Sequence, residues 1–230
     1  MASPDYPASP SISSDSNLEL VNEHFKYDQE VTDLTLIVEN QRFHVSKAVL
    51  IDASPVFRKM LTGEFKEKHR TEIELPGKKS SSFELFLRCI FPREYITLTE
   101  SWIDEILPLA GEYEVKCVLL KCENWLLKKA KVTPSYTHEG VDEDVNFLMK
   151  CICYGEKYSL KNLYKLCSSK VLSYKLHRYK ENEHYQMLPE SHKRQLLEDR
   201  LLEIETRGKI SRQNTAFSTE LFECTLSLFL

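Results

Sequence analysis

The apolar residues of this chain change their period, and the change fixes where strands can form. Leu34, Leu36 and Val38 alternate with Thr35 and Ile37, and Phe43 and Val45 continue the alternation, the pattern of short strands with one buried face. Glu39 to Arg42 is the expected hairpin turn between them. Glu72-Ile73-Glu74-Leu75 alternates once more before Pro76-Gly77 ends it, giving a third strand. Elsewhere the apolar residues recur at three and four positions, the spacing of a helix face.

The helix starts have local causes. Leu18, Val21 and Phe25 predict a first amphipathic helix, which needs an apolar partner, either its own domain or a second chain. Ser54-Pro55 opens another: serine can cap free amides, and proline fits the first helical position, where no amide partner exists. Ser81 and Glu84 have capping-box spacing ahead of the stripe Phe83, Phe86, Leu87, Ile90 and Phe91, which Pro92 stops. Thr99 or Ser101 caps the next helix, carrying Ile103, Ile106, Leu107 and Ala110, and another runs from about Val115 to Leu127.

Residues 1–16, with three prolines and six serines, read as a disordered leader, and 129–144, where the apolar pattern lapses around Pro134 and Gly140, as a linker. Residues 145–207 read as helical: Val145, Leu148, Met149 and Ile152 make one stripe, Leu160, Leu163, Cys167 and Val171 a second, and Pro189 opens a third with Leu197, Leu201 and Ile204. Residues 208–230 form an apolar tail expected to dock on the preceding helices. Tyr113-x-Val115-Lys116-x-Val118-x3-Cys122 matches Tyr158-x-Leu160-Lys161-x-Leu163-x3-Cys167 at an offset of 45 residues, which predicts two similar helix hairpins.

The chemistry of several enzyme classes is missing from the sequence. Six scattered glycines cannot build a phosphate-cradling loop, no serine sits in a GxSxG elbow, and no histidine begins an HExxH. The seven cysteines include no CxxC pair and read as free thiols of a reducing compartment. No catalytic, cofactor-binding or metal-binding residue is therefore nominated, and no cofactor is expected. Thirty-one basic against 35 acidic side chains give a net charge of −4, so nucleic acid is not an expected partner. The run 157–180 has seven Lys or Arg, four tyrosines and no carboxylate; it reads as a solvated helix face or as a patch for an acidic partner. No stretch reaches the roughly 18 apolar residues of a membrane helix, and the expected setting is the cytoplasm, the nucleus or both.

Val31 to Leu127 resembles a BTB/POZ domain, such as the BTB part of MATH-BTB proteins. The likeness runs through Asp33-Leu34-x-Leu36, Phe43-x-Val45-x-Lys47-Ala48-Val49-Leu50, Ser54-Pro55-Val56-Phe57, Phe65-Lys66-Glu67, Ile73-x-Leu75, Phe83, Leu87, Ile90-Phe91-Pro92 and Leu107-x-Leu109-Ala110-x-x-Tyr113-x-Val115, with Cys122. Val145 to Arg207 is similar, more weakly, to the BACK-like helices that follow such domains. Ser46 stands where the family usually has histidine, and is expected to cap its helix; Phe91 stands where tyrosine is common. No MATH, Kelch or zinc-finger module is visible.

The resemblance implies an α+β fold, a three-stranded sheet flanked by helices over residues 17–128, followed by an all-helical extension. It implies a non-enzymatic adaptor, a homodimer that joins an unknown substrate protein to a cullin-3 ubiquitin-ligase scaffold; a dimerisation scaffold in transcriptional or cytoskeletal assembly is the rival reading. Phe65, Lys66 and Glu67 look like the family's cullin-contact motif: an exposed aromatic can fill an apolar pocket while a carboxylate accepts hydrogen bonds. Phe65 folded onto its own core, with Glu67 solvated, is the alternative. Asp33 and Lys47 correspond to the family's charged pair beside the dimer interface, and Leu18, Val21 and Phe25 are further dimer candidates.

Overall fold

The computed structural model describes residues 22–63, 70–91, 96–134 and 141–206. Leu18, Val21, Phe65, Lys66, Glu67, the leader and the tail lie outside them. The chain divides into two units, residues 1–96 and 97–230.

The first unit is built on a sheet ordered β2-β1-β3. β1 (Leu34–Val38) pairs antiparallel with β2 (Gln41–Val45) and parallel with β3 (Glu72–Glu74). The hairpin turn is tighter than expected. Val38 pairs with Gln41, so the loop is Glu39-Asn40 alone, with φ of 48° and 66°. Two successive left-handed residues match the twist of the flanking strands, and Gln41 and Arg42 are thereby drawn into β2. Leu34, Leu36, Val38, Phe43 and Val45 are all buried, as the alternation required.

Three helices complete this unit: α1 (Lys47–Ala53), α2 (Pro55–Thr62) and α3 (Ser80–Ile90). Ser54 caps α2 as expected, its Oγ accepting the Phe57 N–H at 3.0 Å with Pro55 at the first helical position. The capping box at Ser81 and Glu84 does not form. α3 starts two residues earlier, with Lys79 at its N-cap position, and its Ser80 N–H donates to Glu39 from the hairpin turn at 2.8 Å, while Glu84 accepts from Asn22 at 2.6 Å. A long-range acceptor has replaced the local one. Residues 22–25 form a turn, with Asn22 Oδ1 accepting the His24 and Phe25 amides. Phe25, Phe43, Phe83 and Phe91 pack edge to face at 5.7–5.9 Å between ring centroids. Each fully buried phenyl contributes roughly 1.5–3 kcal/mol, so this cluster anchors the unit.

The second unit is helical throughout its described residues: α4 (Glu100–Glu112), α5 (Lys116–Val132), α6 (Val141–Lys157), α7 (Lys161–Val171), the short α8 (Leu176–Lys180) and α9 (Glu183–Met187), and α10, residues 190–206. Thr99, not Ser101, caps α4 by accepting the Trp102 N–H. The expected linker is partly helical, since α5 runs on to Val132 and α6 begins at Val141. Lysines at the end of α5 carry the helix past the point where apolar periodicity fades: Lys129 is held over the Phe147 ring and pairs with Glu100. The α6 and α7 stripes are buried as predicted. α10 differs: Leu196 is its buried anchor, whereas Leu201 and Ile204 are exposed.

Candidate functional site

Asp33 and Lys47 come together, but not as an ion pair. Asp33 Oδ1 accepts the backbone N–H of Lys47 at 2.7 Å, while Lys47 Nζ reaches the Arg70 carbonyl at 3.3 Å. Ser46 occupies the N-cap position of α1 and makes no side-chain cap bond, so the expected serine cap is supplied by Asp33. Phe25, expected at a dimer surface or in its own domain, is 2% exposed and belongs to the aromatic cluster of its own unit. Its side chain is used there.

The run 157–180 is divided: Lys157, Lys161, Lys165, Lys175 and Lys180 are exposed, while others of its groups are engaged. Tyr174 and Tyr179 are buried, Lys170 donates to the Lys131 and Thr133 carbonyls, and Arg178 pairs with Asp142 at 3.1 Å. Those groups are committed to holding helices together.

The concave site of the second unit lies where the sequence repeat falls. α4 and α6 end in the same turn: Glu114 and Ser159 take φ of 52° and 57°, and Val115 N–H and Leu160 N–H bond back to the carbonyls of Ala110 and Gly155, both at 2.9 Å. This is the Schellman ending, which satisfies orphan carbonyls and turns the chain into the next helix. The two elbows touch, because the Tyr158 ring lies so close over Gly111 that a Cβ there would sit 2.7 Å from Cδ1. Between them opens a groove of about 920 Å³, bordered by Pro108, Leu119, Leu120 and Leu160, with Glu112 and Lys157 among its polar groups. Leu120 is 56% exposed. The sequence repeat predicts the duplicated hairpins, and packing alone reveals the groove between them.

Glu123 lines that groove and is only 8% exposed. Its Oε1 accepts the Asn162 and Leu163 amides, both at 3.2 Å, and so caps α7 from α5. A carboxylate at the positive end of a helix is favourably placed, and here it fixes one wall of the groove against the other.

A second polar cluster ties α4, α5 and α6. Lys150 Nζ lies 3.2 Å from Glu100 and 3.0 Å from Asp104, Tyr154 donates to Asp104 at 2.7 Å, and Lys129 pairs with Glu100. Burial alone would raise the Glu100 carboxyl, but hydrogen bonds from Lys129 and Lys150 outweigh it and hold the group below its ordinary value. Lys150 is likewise shifted up: burial opposes its charge, and bonds to Asp104 and Glu100 prevail. Among the described residues no group of three or more His, Cys, Asp or Glu could hold a metal ion, and no helix is long and apolar enough to cross a membrane.

The first unit is a small mixed sheet with helices, and the second opens an apolar groove between duplicated helix elbows. Residues 21–130 match the model of the BTB/POZ domain, and the chain carries that domain there. Similar proteins include BTB and MATH domain-containing protein 36 of Caenorhabditis elegans, 30% identical over 154 residues that cover 66% of this chain and 43% of that protein. BTB and MATH domain-containing protein 38 of the same organism is 32% identical over 107 residues, 44% of this chain and 27% of the relative. Kelch-like protein 28 of Homo sapiens is 27% identical over 105 residues, 46% and 18% of the two chains. The matches thus span less than half of these relatives.

Proposed function

We propose that this chain is a homodimeric adaptor, cytoplasmic or nuclear, that docks on a cullin-3 type scaffold and brings a partner protein to it through its helical second unit. The observation that carries the reading is the BTB/POZ match over residues 21–130, shared with relatives named for BTB with MATH domains and with Kelch-like proteins. Phe65 and Glu67 supply the scaffold contact, an aromatic anchor with an adjacent hydrogen-bond acceptor. Leu18 and Val21 supply apolar surface for the second copy. The groove beside Leu120 takes an apolar segment of the partner protein.

The test is a pull-down by the N-terminal part of cullin-3 using wild type, Phe65→Ala and Glu67→Ala, with light scattering of the 26.9 kDa chain. Capture of wild type alone, at twice the monomer mass, is the expected result. A dimer that captures no scaffold at micromolar concentration removes the ligase role and leaves a dimerisation scaffold. A monomeric mass removes the dimer.

A further inference from the structure

The groove between the two elbows joins an apolar lining to a surplus of lysines. Pro108, Leu119, Leu120 and Leu160 line its space of about 920 Å³, and Lys116 and Lys157, both exposed, line it with them. Lys161 opens α7 directly after Leu160, and Lys165 lies one turn further along the same exposed face. None of these four ammonium groups has an ion-pair partner among the described residues, and the run 157–180 contains no carboxylate to supply one. Like charges four residues apart on a helix destabilise it, so Lys161 and Lys165 cost α7 stability rather than adding to it. Glu112 and Glu114 also border the groove and offset part of the positive charge, while Glu123 is committed to the amides of α7.

The duplicated elbow shows what such a place accepts. At α7 the Asn162 and Leu163 amides take the Glu123 carboxylate. At the matching start of α5, Val115 makes no side-chain cap, and the Lys116 and Cys117 amides have no acceptor among the described residues. One elbow receives a carboxylate from within the chain; the other presents the same positive helix end at a residue that lines the groove.

We propose that the groove binds a segment of a partner protein in which large apolar side chains are flanked by Asp or Glu. The apolar groups enter beside Leu120 and Leu160, and the carboxylates meet Lys157, Lys161 and the first amides of α5. An amphipathic helix suits the site, because its backbone bonds are internal and the second unit offers no sheet edge among its described residues. This rests on the proposed role of the groove and adds the chemistry of its occupant.

The test is fluorescence anisotropy of the full chain with a fluorescein-labelled synthetic peptide whose leucines recur at helical spacing with glutamates between them. Binding with a Kd of about 10 μM is expected, weakened at least about tenfold by Leu120→Asp or by K157E/K161E and strengthened by Glu114→Gln. Replacing the peptide's glutamates by lysines, or its leucines by serines, is expected to weaken binding to the same degree, and these changes leave the protein untouched. A lysine peptide that binds as well overturns the proposal, and so does a serine peptide that binds as well, because the lysines then attract any polyanion. Binding that needs Leu120 but is indifferent to glutamine in place of the peptide's glutamates overturns the acidic chemistry and leaves an apolar docking groove. Peptide affinity that falls steadily as the protein is concentrated overturns it in favour of a second copy in the groove. No binding of the glutamate peptide, by a chain that the N-terminal part of cullin-3 still captures, overturns it while the scaffold contact stands.

Discussion

Asp33 holds the first amide of α1: its Oδ1 lies 2.7 Å from the Lys47 backbone nitrogen, so a carboxylate just ahead of β1 caps a helix that starts beyond β2. The bond uses the main chain of Lys47, and its ammonium is dispensable to it. Asp33→Ala should cost about 0.5–2 kcal/mol, the usual worth of a cap, and Asp33→Asn less. Lys47→Ala and Ser46→Ala should each stay within about 0.5 kcal/mol. Urea unfolding midpoints at constant slope separate these cases. A Lys47→Ala loss equal to that of Asp33→Ala would make the pair ionic after all.

Glu123 joins α5 to the start of α7 through two amides. Glu123→Ala removes the acceptor of both amides, that of Leu163 in a buried place, and should cost about 1–3 kcal/mol, whereas Glu123→Gln keeps the acceptor and costs less. Hydrogen exchange at Asn162 and Leu163 should quicken in the alanine variant before the amides of α4 respond. Uniform quickening across the second unit would contradict a local cap.

The two elbows differ in what their glycines face. A Cβ on Gly111 would meet the Tyr158 ring, the movable end of a side chain, while one on Gly155 would lie 2.9 Å from the Tyr164 backbone. Gly155→Ala should therefore be the more damaging, at or above the roughly 1–3 kcal/mol typical of overpacking. Tyr158→Ala should relieve Gly111→Ala in a double-mutant cycle, and Tyr164→Ala should leave most of the Gly155→Ala loss in place. Equal rescue at both sites would contradict the geometry.

The cluster of Glu100, Asp104, Lys129 and Lys150 sets a pH window. Glu100 is held below its ordinary 4.5 in the folded chain, so its contribution is complete above that value and is lost as pH falls through the lower folded one. Lys150 is held above 10.5, so its contribution is complete below that and lost as pH rises through the folded value. The stability difference between wild type and Glu100→Gln should be flat near neutrality and shrink below pH 4.5. A difference unchanged down to about pH 3 would mean that Glu100 keeps its proton affinity on folding.

What could be read in advance was what local pattern controls. The alternation at Leu34 to Val38, the Ser54-Pro55 start, the stripes of α6 and α7 and the paired elbows all rest on residues within a turn or two of each other, and the structure contains each. The caps of α1 and α3 were misassigned because their acceptors, Asp33 and Glu39, come from 14 and 41 residues away. Pattern alone cannot choose a distant carboxylate over a nearby serine. The same limit hid the groove: the repeat of Tyr113 and Tyr158 was visible, but only packing shows Tyr158 resting on Gly111 with Glu123 bridging to α7. Periodicity places Phe25 on an apolar face and does not report what covers it; the aromatic cluster of its own unit does.

The adaptor reading meets its most direct test in calorimetric titration of the full chain with the N-terminal part of cullin-3. Wild type should bind with a Kd of about 1 μM or tighter, and Phe65→Ala should weaken that at least tenfold, about 1.4 kcal/mol, with its thermal midpoint unchanged. No heat of binding from wild type at tens of micromolar, or a Phe65→Ala variant that binds as well as wild type, would contradict it.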